Sequence, residues 1–159
     1  MLAQFTRTNI LLGEANLAKL TNKHILIAGV GGVGGYVVEA IARAGVGKIT
    51  IIDNDVVDIT NINRQLISNL DNVGKAKVNE FSQRIKLINP DIKLISLPVF
   101  IDENNLDKLL SDKPDYVIDC IDTIESKLAL IVYCLKHKLK IVSSMGAGNR
   151  IDVTKAKLA

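Results

Sequence analysis

Six consecutive residues, Gly29-Val-Gly-Gly-Val-Gly34, leave a stretch of backbone bare enough for a phosphate to lie against it. A helix starting there adds unpaired N–H groups and the positive end of its dipole, so Gly29, Gly31, Gly32 and Gly34 are candidate phosphate binders. The pattern is weak alone and gains from its flanks. An apolar run, His24 to Ala28, leads into it, an amphipathic stretch, Gly35 to Arg43, leaves it, and Asp53 closes the next apolar run 19 residues after Gly34. A carboxylate at that place accepts hydrogen bonds from ribose hydroxyls, which makes a nucleotide the expected ligand. Glycines kept only for tight helix–strand packing are the alternative.

The segment after Asp53 bears on which nucleotide. A dehydrogenase holds its pyrophosphate mainly on the glycine turn and needs no cation-bearing loop directly after the second strand. Here Asp53-Asn-Asp55 is followed by Asn61-Ile-Asn-Arg64-Gln65, and Lys77 begins the next helical stretch. An arginine fork, a lysine point charge and several amides suit a triphosphate, whose transferring phosphoryl oxygens need their developing charge neutralised. Taken singly, Arg64 also reads as a solvated loop charge and Lys77 as a solvated helix residue. A later apolar run ends in Asp119-Cys-Ile-Asp122-Thr. Asp122 would face the crevice in which doubly wound folds bind ligands and is the candidate Mg²⁺ ligand, with helix capping as its alternative. Asp119 lies deeper and is expected to satisfy backbone donors or cap the following helix.

Cys120 sits in an apolar run and Cys134 shares a helical face with Leu130 and Ile131, so both read as core residues rather than nucleophiles. With no CxxC pair and no Cys/His ligand spacing, a disulfide framework or zinc site within these residues is not expected, and a reducing, cytoplasmic setting is. His24 and His137 read as structural or solvated, and the lysines from Lys136 to Lys140 complement a helix C-terminus.

The elements that must position these residues follow in strict alternation. Strands are expected at His24 to Ala28, Lys48 to Ile52, Ile92 to Ser96, Tyr116 to Cys120 and Lys140 to Ser143. Helices are expected at Glu14 to Lys19, Gly35 to Arg43, Lys75 to Ile88, Glu103 to Leu110 and Ile124 to His137, with an unperiodic loop from Asp53 to Leu70. This is the signature of βαβ units and predicts an α/β fold: doubly wound, Rossmann-like, a mainly parallel sheet flanked by helices. Composition agrees. Of 159 residues, 48% are hydrophobic but only 4% aromatic, with no Trp, so the core must be aliphatic, and one domain is the expectation. A net charge of +3 permits a polyanionic partner without requiring one. No export signal and no membrane span are expected from the visible hydropathy. Arg150 to Ala159 resumes a charged–apolar pattern that reads as a strand starting near Ile151, so a chain continuing past it is expected, with a native C-terminal edge strand as the alternative.

Arg7 before the first strand, GVGGVG, DNDVVDITNINRQ, VGKAKV, RIKLINP and DCIDT together resemble the ThiF/MoeB/HesA superfamily of ubiquitin-activating-type adenylating enzymes. Within it, RTNILLGEANLAKL, TNINRQ, DNVGKAKV and SSMGAGNRIDVTK look like the branch that dehydrates N6-threonylcarbamoyladenosine in tRNA. The resemblance spans nearly the whole chain and implies that residues 1–159 are an ATP-binding adenylation domain. It implies that Gly29 to Gly34 bind phosphates and Asp53 the ribose. Beside Asp55, the residues Asn61, Arg64, Gln65 and Lys77 would hold the ATP phosphates, and Asp122 the magnesium. Arg7 would act in trans across a homodimer.

The implied reaction starts with a substrate carboxylate attacking the α-phosphate of ATP, which expels pyrophosphate and leaves an acyl-adenylate; in the tRNA branch, ring closure then releases AMP. Sulfur-transfer members of the superfamily instead adenylate the C-terminus of a small ubiquitin-like sulfur-carrier protein, and carry a later cysteine and CxxC motifs beyond the length visible here. That reading, with its sulfur-transfer partner, is the alternative. An NAD-dependent oxidoreductase is weakened by the loop cations and the lack of a placed hydride-transfer residue, and a non-catalytic nucleotide-binding scaffold by the full set of ATP-contact residues.

Overall fold

A computed structural model describes residues 3–146 and 152–158. Five parallel strands, β1 (His24–Ala28), β2 (Lys48–Ile52), β3 (Lys93–Leu97), β4 (Tyr116–Asp119) and β5 (Ile141–Ser143), form one sheet in the order β3-β2-β1-β4-β5. β1 is central, with all five residues buried, because HILIA offers an apolar side chain to each face in turn.

That alternation sorts the core into two layers. Ile25 and Ile27 point with Ile49 and Ile51 to one face, where Val38 and Ala42 of α3 (Gly34–Ala44) and Val78, Phe81 and Ile85 of α4 (Lys77–Ile88) cover them. Leu26 and Ala28 point with Ile52 and Val117 to the other, under Leu106 of α5 (Leu106–Leu109) and Leu130 and Cys134 of α6 (Ile124–Lys136). The fully buried Phe81 ring fits against Gly35, where a Cβ would come within 3.0 Å of it. Truncating such a ring costs about 3–5 kcal/mol.

The expected order of elements holds, with shifts at several boundaries, among them the start of α4 at Lys77 rather than Lys75 and of β5 at Ile141 rather than Lys140. The N-terminal helix is two, α1 (Thr6–Leu12) and α2 (Glu14–Thr21), broken at Gly13, whose φ of +79° favours glycine. The first has no buried residue, hence no apolar stripe to read. β3 starts at Lys93 rather than Ile92, which is buried in the core just before the strand. The helix expected from Glu103 starts only at Leu106, because the Asp102 carboxylate accepts from the Asn104 and Asn105 amides and holds that turn out of helix. β4 ends at Asp119, one residue early, although Cys120 still donates its amide to the Ala28 carbonyl. The strand expected at Ile151 lies outside the described residues.

Candidate functional site

The chain winds from β1 through β2 to β3, then returns to set β4 on the other side of β1, so the loops leaving β1 and β4 diverge around a crevice. An open cavity of about 810 Å³ fills it, a size within the roughly 300–1,000 Å³ of small-molecule sites.

The glycines divide into two kinds. Gly29 has a φ of +83°, and a Cβ there would sit 2.8 Å from the Cys120 carbonyl oxygen; at Gly34 it would sit 1.9 Å from that of Gly29. These two are required by the fold itself. At Gly32 a Cβ would meet nothing within 4 Å, and at Gly31 only the Gln65 Nε2 at 3.7 Å. Their missing side chains are not filled by protein, and both line the cavity. No side chain caps α3; the Gly35 amide already bonds the Gly31 carbonyl at 2.9 Å, so the amides left for a ligand are those of residues 31–34 before it.

Asp53 ties the glycine turn to the end of β2. Its Oδ2 accepts from the Val30 amide and its Oδ1 from the Asp55 amide, each at 2.8 Å. Each carboxylate oxygen keeps acceptor capacity toward the cavity it lines.

The loop beyond is folded by its own polar side chains. Two short turns, at residues 59–61 and 70–72, each start with a reciprocal capping box, Asp58 with Asn61 and Asn69 with Asn72. Asn72 also donates to the Ile67 carbonyl at 2.8 Å and to Glu80 at 3.1 Å. Bonds from the Thr60 hydroxyl and amide hold the Asp58 carboxyl below its usual range. This frame sets Arg64 and Gln65 on the cavity wall. Exposed Arg64 rests on neutral oxygens, the Thr60 carbonyl at 2.8 Å and the Asn63 amide at 3.1 Å, so its charge is available to an anion. Gln65 is buried, and its Oε1 has no protein partner. Asn61 reaches the same wall, but its Oδ1 is engaged by the Asp58 amide.

Lys77, expected as the start of a helix, is buried rather than solvated, with 3% of its surface exposed. Its Nζ meets the Asp55 Oδ2 at 2.7 Å, while the Asp55 side chain is 59% exposed. Asp122 is an exposed cavity residue; Thr123 occupies the N-cap of α6 and no side chain caps that helix, so the capping alternative for Asp122 does not hold. Asp119 does satisfy a backbone donor, the Ile121 amide at 2.9 Å, but does not cap α6. Ten of the expected residues thus line one cavity, the first three glycines, Asp53, Asp55, Asn61, Arg64, Gln65, Lys77 and Asp122, and Gly34 closes the turn behind them. Arg7 does not join them. It is exposed on α1 and is not part of the lining.

The cysteines behave as expected. Burial and the adjacent Asp119 charge push the Cys120 thiol up to about 11, and burial pushes Cys134 to about 11. Sequence reasoning missed Lys127. The signal was present: it sits on the face of α6 that carries Leu130 and Cys134, where a lysine needs a buried partner. Among the described residues, no group of three or more His, Cys, Asp or Glu side chains could hold a metal ion, and no helix is long and apolar enough to cross a membrane.

Comparison with known proteins places this geometry among relatives. The ThiF family model matches residues 5–157. A tRNA threonylcarbamoyladenosine dehydratase of Bacillus subtilis is 44% identical over 159 residues, which is 100% of this chain and 63% of that protein. The crystal structure of Escherichia coli TcdA, tRNA N6-threonylcarbamoyladenosine dehydratase, in complex with AMP superposes with a TM-score of 0.93 at 42% identity, covering 95% of this chain and 61% of that one. The ATP complex of the same protein gives 0.92 at 42%, over 95% and 62%. The chain therefore spans 63% of the length of the Bacillus relative and less of the next two.

Proposed function

The chain belongs to the ThiF family, and from that premise we propose that it is the adenylating unit of an enzyme that uses ATP to dehydrate N6-threonylcarbamoyladenosine in tRNA to its cyclic form. The observation that carries the reading is the pair of glycines, Gly31 and Gly32, whose side-chain space is unfilled by protein and which line one cavity with a buried lysine and an arginine bonded only to neutral oxygens. The first-matched relatives bear the name of that dehydratase, and two of the matched crystal structures hold AMP and ATP.

The chemistry fits. A carboxylate is a poor electrophile because oxide would have to leave, whereas its mixed anhydride with AMP leaves readily. The carboxylate oxygen of the threonyl moiety attacks the α-phosphorus, the bond to the β-phosphate oxygen breaks, and pyrophosphate departs. Attack on the activated carbonyl from within the nucleoside then closes the ring and releases AMP. The barrier to the first step is largely the approach of two anions. The Gly31–Gly34 amides hold phosphate oxygens, Asp53 orients the ribose, and Arg64 and Lys77 neutralise charge on the departing phosphates. Lys77 must leave Asp55 for a phosphate oxygen, which the exposure of Asp55 permits. Magnesium, bound by Asp122 and by the phosphates themselves, would supply further neutralisation; one carboxylate suffices for a metal that takes most of its ligands from nucleotide and water. No general base is required, since the attacking carboxylate is already ionised. Arg7, outside the cavity of its own chain, would serve the cavity of a second copy in a homodimer. The reading places the protein in the cytoplasm, with tRNA.

ATP–pyrophosphate exchange by the full-length protein tests the proposal. Exchange that depends on tRNA carrying N6-threonylcarbamoyladenosine is expected. Exchange that depends instead on a sulfur-carrier protein would replace the substrate, and calorimetric binding of NAD without ATP would replace the reaction class.

A further inference from the structure

Beside the phosphate-binding groups lies a second buried ion pair to which the proposed chemistry assigns no part. The Asp119 side chain is fully buried and the Lys127 side chain is 10% exposed, with 2.6 Å between Nζ and Oδ2. Lysine on a helix points back toward the helix N-terminus, so from the second turn of α6 Lys127 reaches the carboxyl ends of β4 and β5. There its ammonium also donates to the Ser144 carbonyl at 2.9 Å and approaches the Ser143 hydroxyl at 3.4 Å. Asp119 holds the same segment from the other side: its Oδ2 accepts from the Ser143 hydroxyl at 2.5 Å, and its carbonyl accepts from the Ser144 amide at 2.8 Å. Its Oδ1 meanwhile accepts from the Ile121 amide at 2.9 Å.

The two segments gripped in this way are opposite lips of one cavity wall. Ile121 and Asp122 line the cavity from the β4–α6 loop, and Ser144 and Gly146 line it from the segment after β5. The Ser144 peptide is clamped at both its amide and its carbonyl, so neither lip can shift without breaking a bond to the pair. Anchoring α6 to β4 would not require charges, because a buried ion pair replaced by packed apolar residues is often neutral or stabilising. Apolar side chains cannot hold a peptide carbonyl, a peptide amide and a hydroxyl at fixed positions. Nor does the pair neutralise phosphate, since Asp119, fully buried, cannot turn to water and release the ammonium as the exposed Asp55 can.

We propose that Asp119 and Lys127 are positioning residues that set the affinity of the cavity for ATP by fixing the Ile121–Asp122 and Ser144–Gly146 lips against each other. This rests on the reading of the cavity as an ATP site. Calorimetric titration of the full-length protein with ATP, alongside thermal unfolding, tests both. The double variant Asp119→Asn/Lys127→Met removes both charges together and leaves none buried alone, so it should fold. Its ATP Kd is expected to rise about tenfold or more, within the scale of losses from ångström-sized misplacements. Lys127→Arg, which restores a donor and a charge against Asp119, is expected to recover affinity to within about threefold of wild type, and Ser143→Ala to weaken it about threefold. A folded double variant with wild-type affinity, or Lys127→Arg as weak as the double variant, overturns the proposal. Should the double variant not fold, Ser143→Ala decides, and wild-type affinity there overturns it. A wild-type protein that binds no ATP overturns the reading of the site, and the proposal with it.

Discussion

Two buried lysines stand on either side of the cavity, and they differ in how far their aspartates are buried. Lys77 pairs with Asp55, whose side chain is 59% exposed; Lys127 pairs with Asp119, which has no exposure at all. The first pair is half open, so its acid can turn to water and release the ammonium to a ligand. The second is closed, and any displacement of either member leaves an uncompensated charge in the protein interior. Burial of a lysine therefore marks opposite roles here, and the partner's exposure tells them apart.

Stability should separate the pairs most sharply. Lys127→Met strands the Asp119 carboxylate and is expected to cost about 3–5 kcal/mol, read as a drop in the urea midpoint, whereas Lys77→Met leaves Asp55 in water and should cost about 1 kcal/mol or less. Equal losses would erase the distinction. Catalysis should reverse the ranking at nearly the same scale. Lys77→Met, like Arg64→Ala and Asp122→Ala, is expected to lower substrate-dependent ATP–pyrophosphate exchange about 10²–10³-fold in a folded protein. Retained exchange in all three would remove these residues from the chemistry.

His24 sharpens the comparison from the far end of β1, because it is buried without a committed acid. Its Nε2 bonds the Thr50 hydroxyl at 2.9 Å, while Asp112 lies 4.0 Å from Nδ1. Burial, then the Lys48 charge, holds its pKa below the ordinary 6.5 against the opposing pull of Asp112 and Asp115. As pH falls through 6.5, the unfolded chain takes up a proton that the folded chain still refuses. Stability present above that pH is therefore lost on acidification, and His24→Gln should flatten the decline measured by urea unfolding between about pH 7 and pH 5. The smallest effect is expected at Cys120. A thiol pushed up to about 11 is almost wholly protonated at neutral pH, so alkylation by iodoacetamide should be far slower than for a free thiol despite the cavity beside it.

The legible part of the molecule is the part with a period. β1 and β2 announce themselves as short apolar runs and the helices after them through apolar residues at every third and fourth position, and the glycine turn with Asp53 follows from their spacing. α1 was illegible because it buries none of its residues. The grouping of Arg64, Gln65 and Lys77 could be read, but not that Lys77 would be buried on Asp55, because that pair spans a loop whose shape depends on Asn61 and Asn72 side chains bonding to backbone. Such bonds have no hydropathy signature. Asp119 and Lys127 were hidden for a related reason. Their meeting depends on where β5 lies, and a strand of three residues leaves little pattern to place it.

The central position of β1 has a consequence in time. It pairs on one side with β2, whose first residue follows 24 positions later, but Ile25 on the other side pairs with Tyr116, 91 residues downstream. At about 5–20 residues per second of synthesis, the open flank of β1 waits roughly 5–18 seconds for its neighbour to leave the ribosome. Until then the Cys120 carbonyl that packs on Gly29 is absent, and the nascent chain exposes a row of unpaired amides along its most apolar strand. The interval is a window for a chaperone, or for mispairing with another nascent copy, at the strand on which the nucleotide cavity is later built.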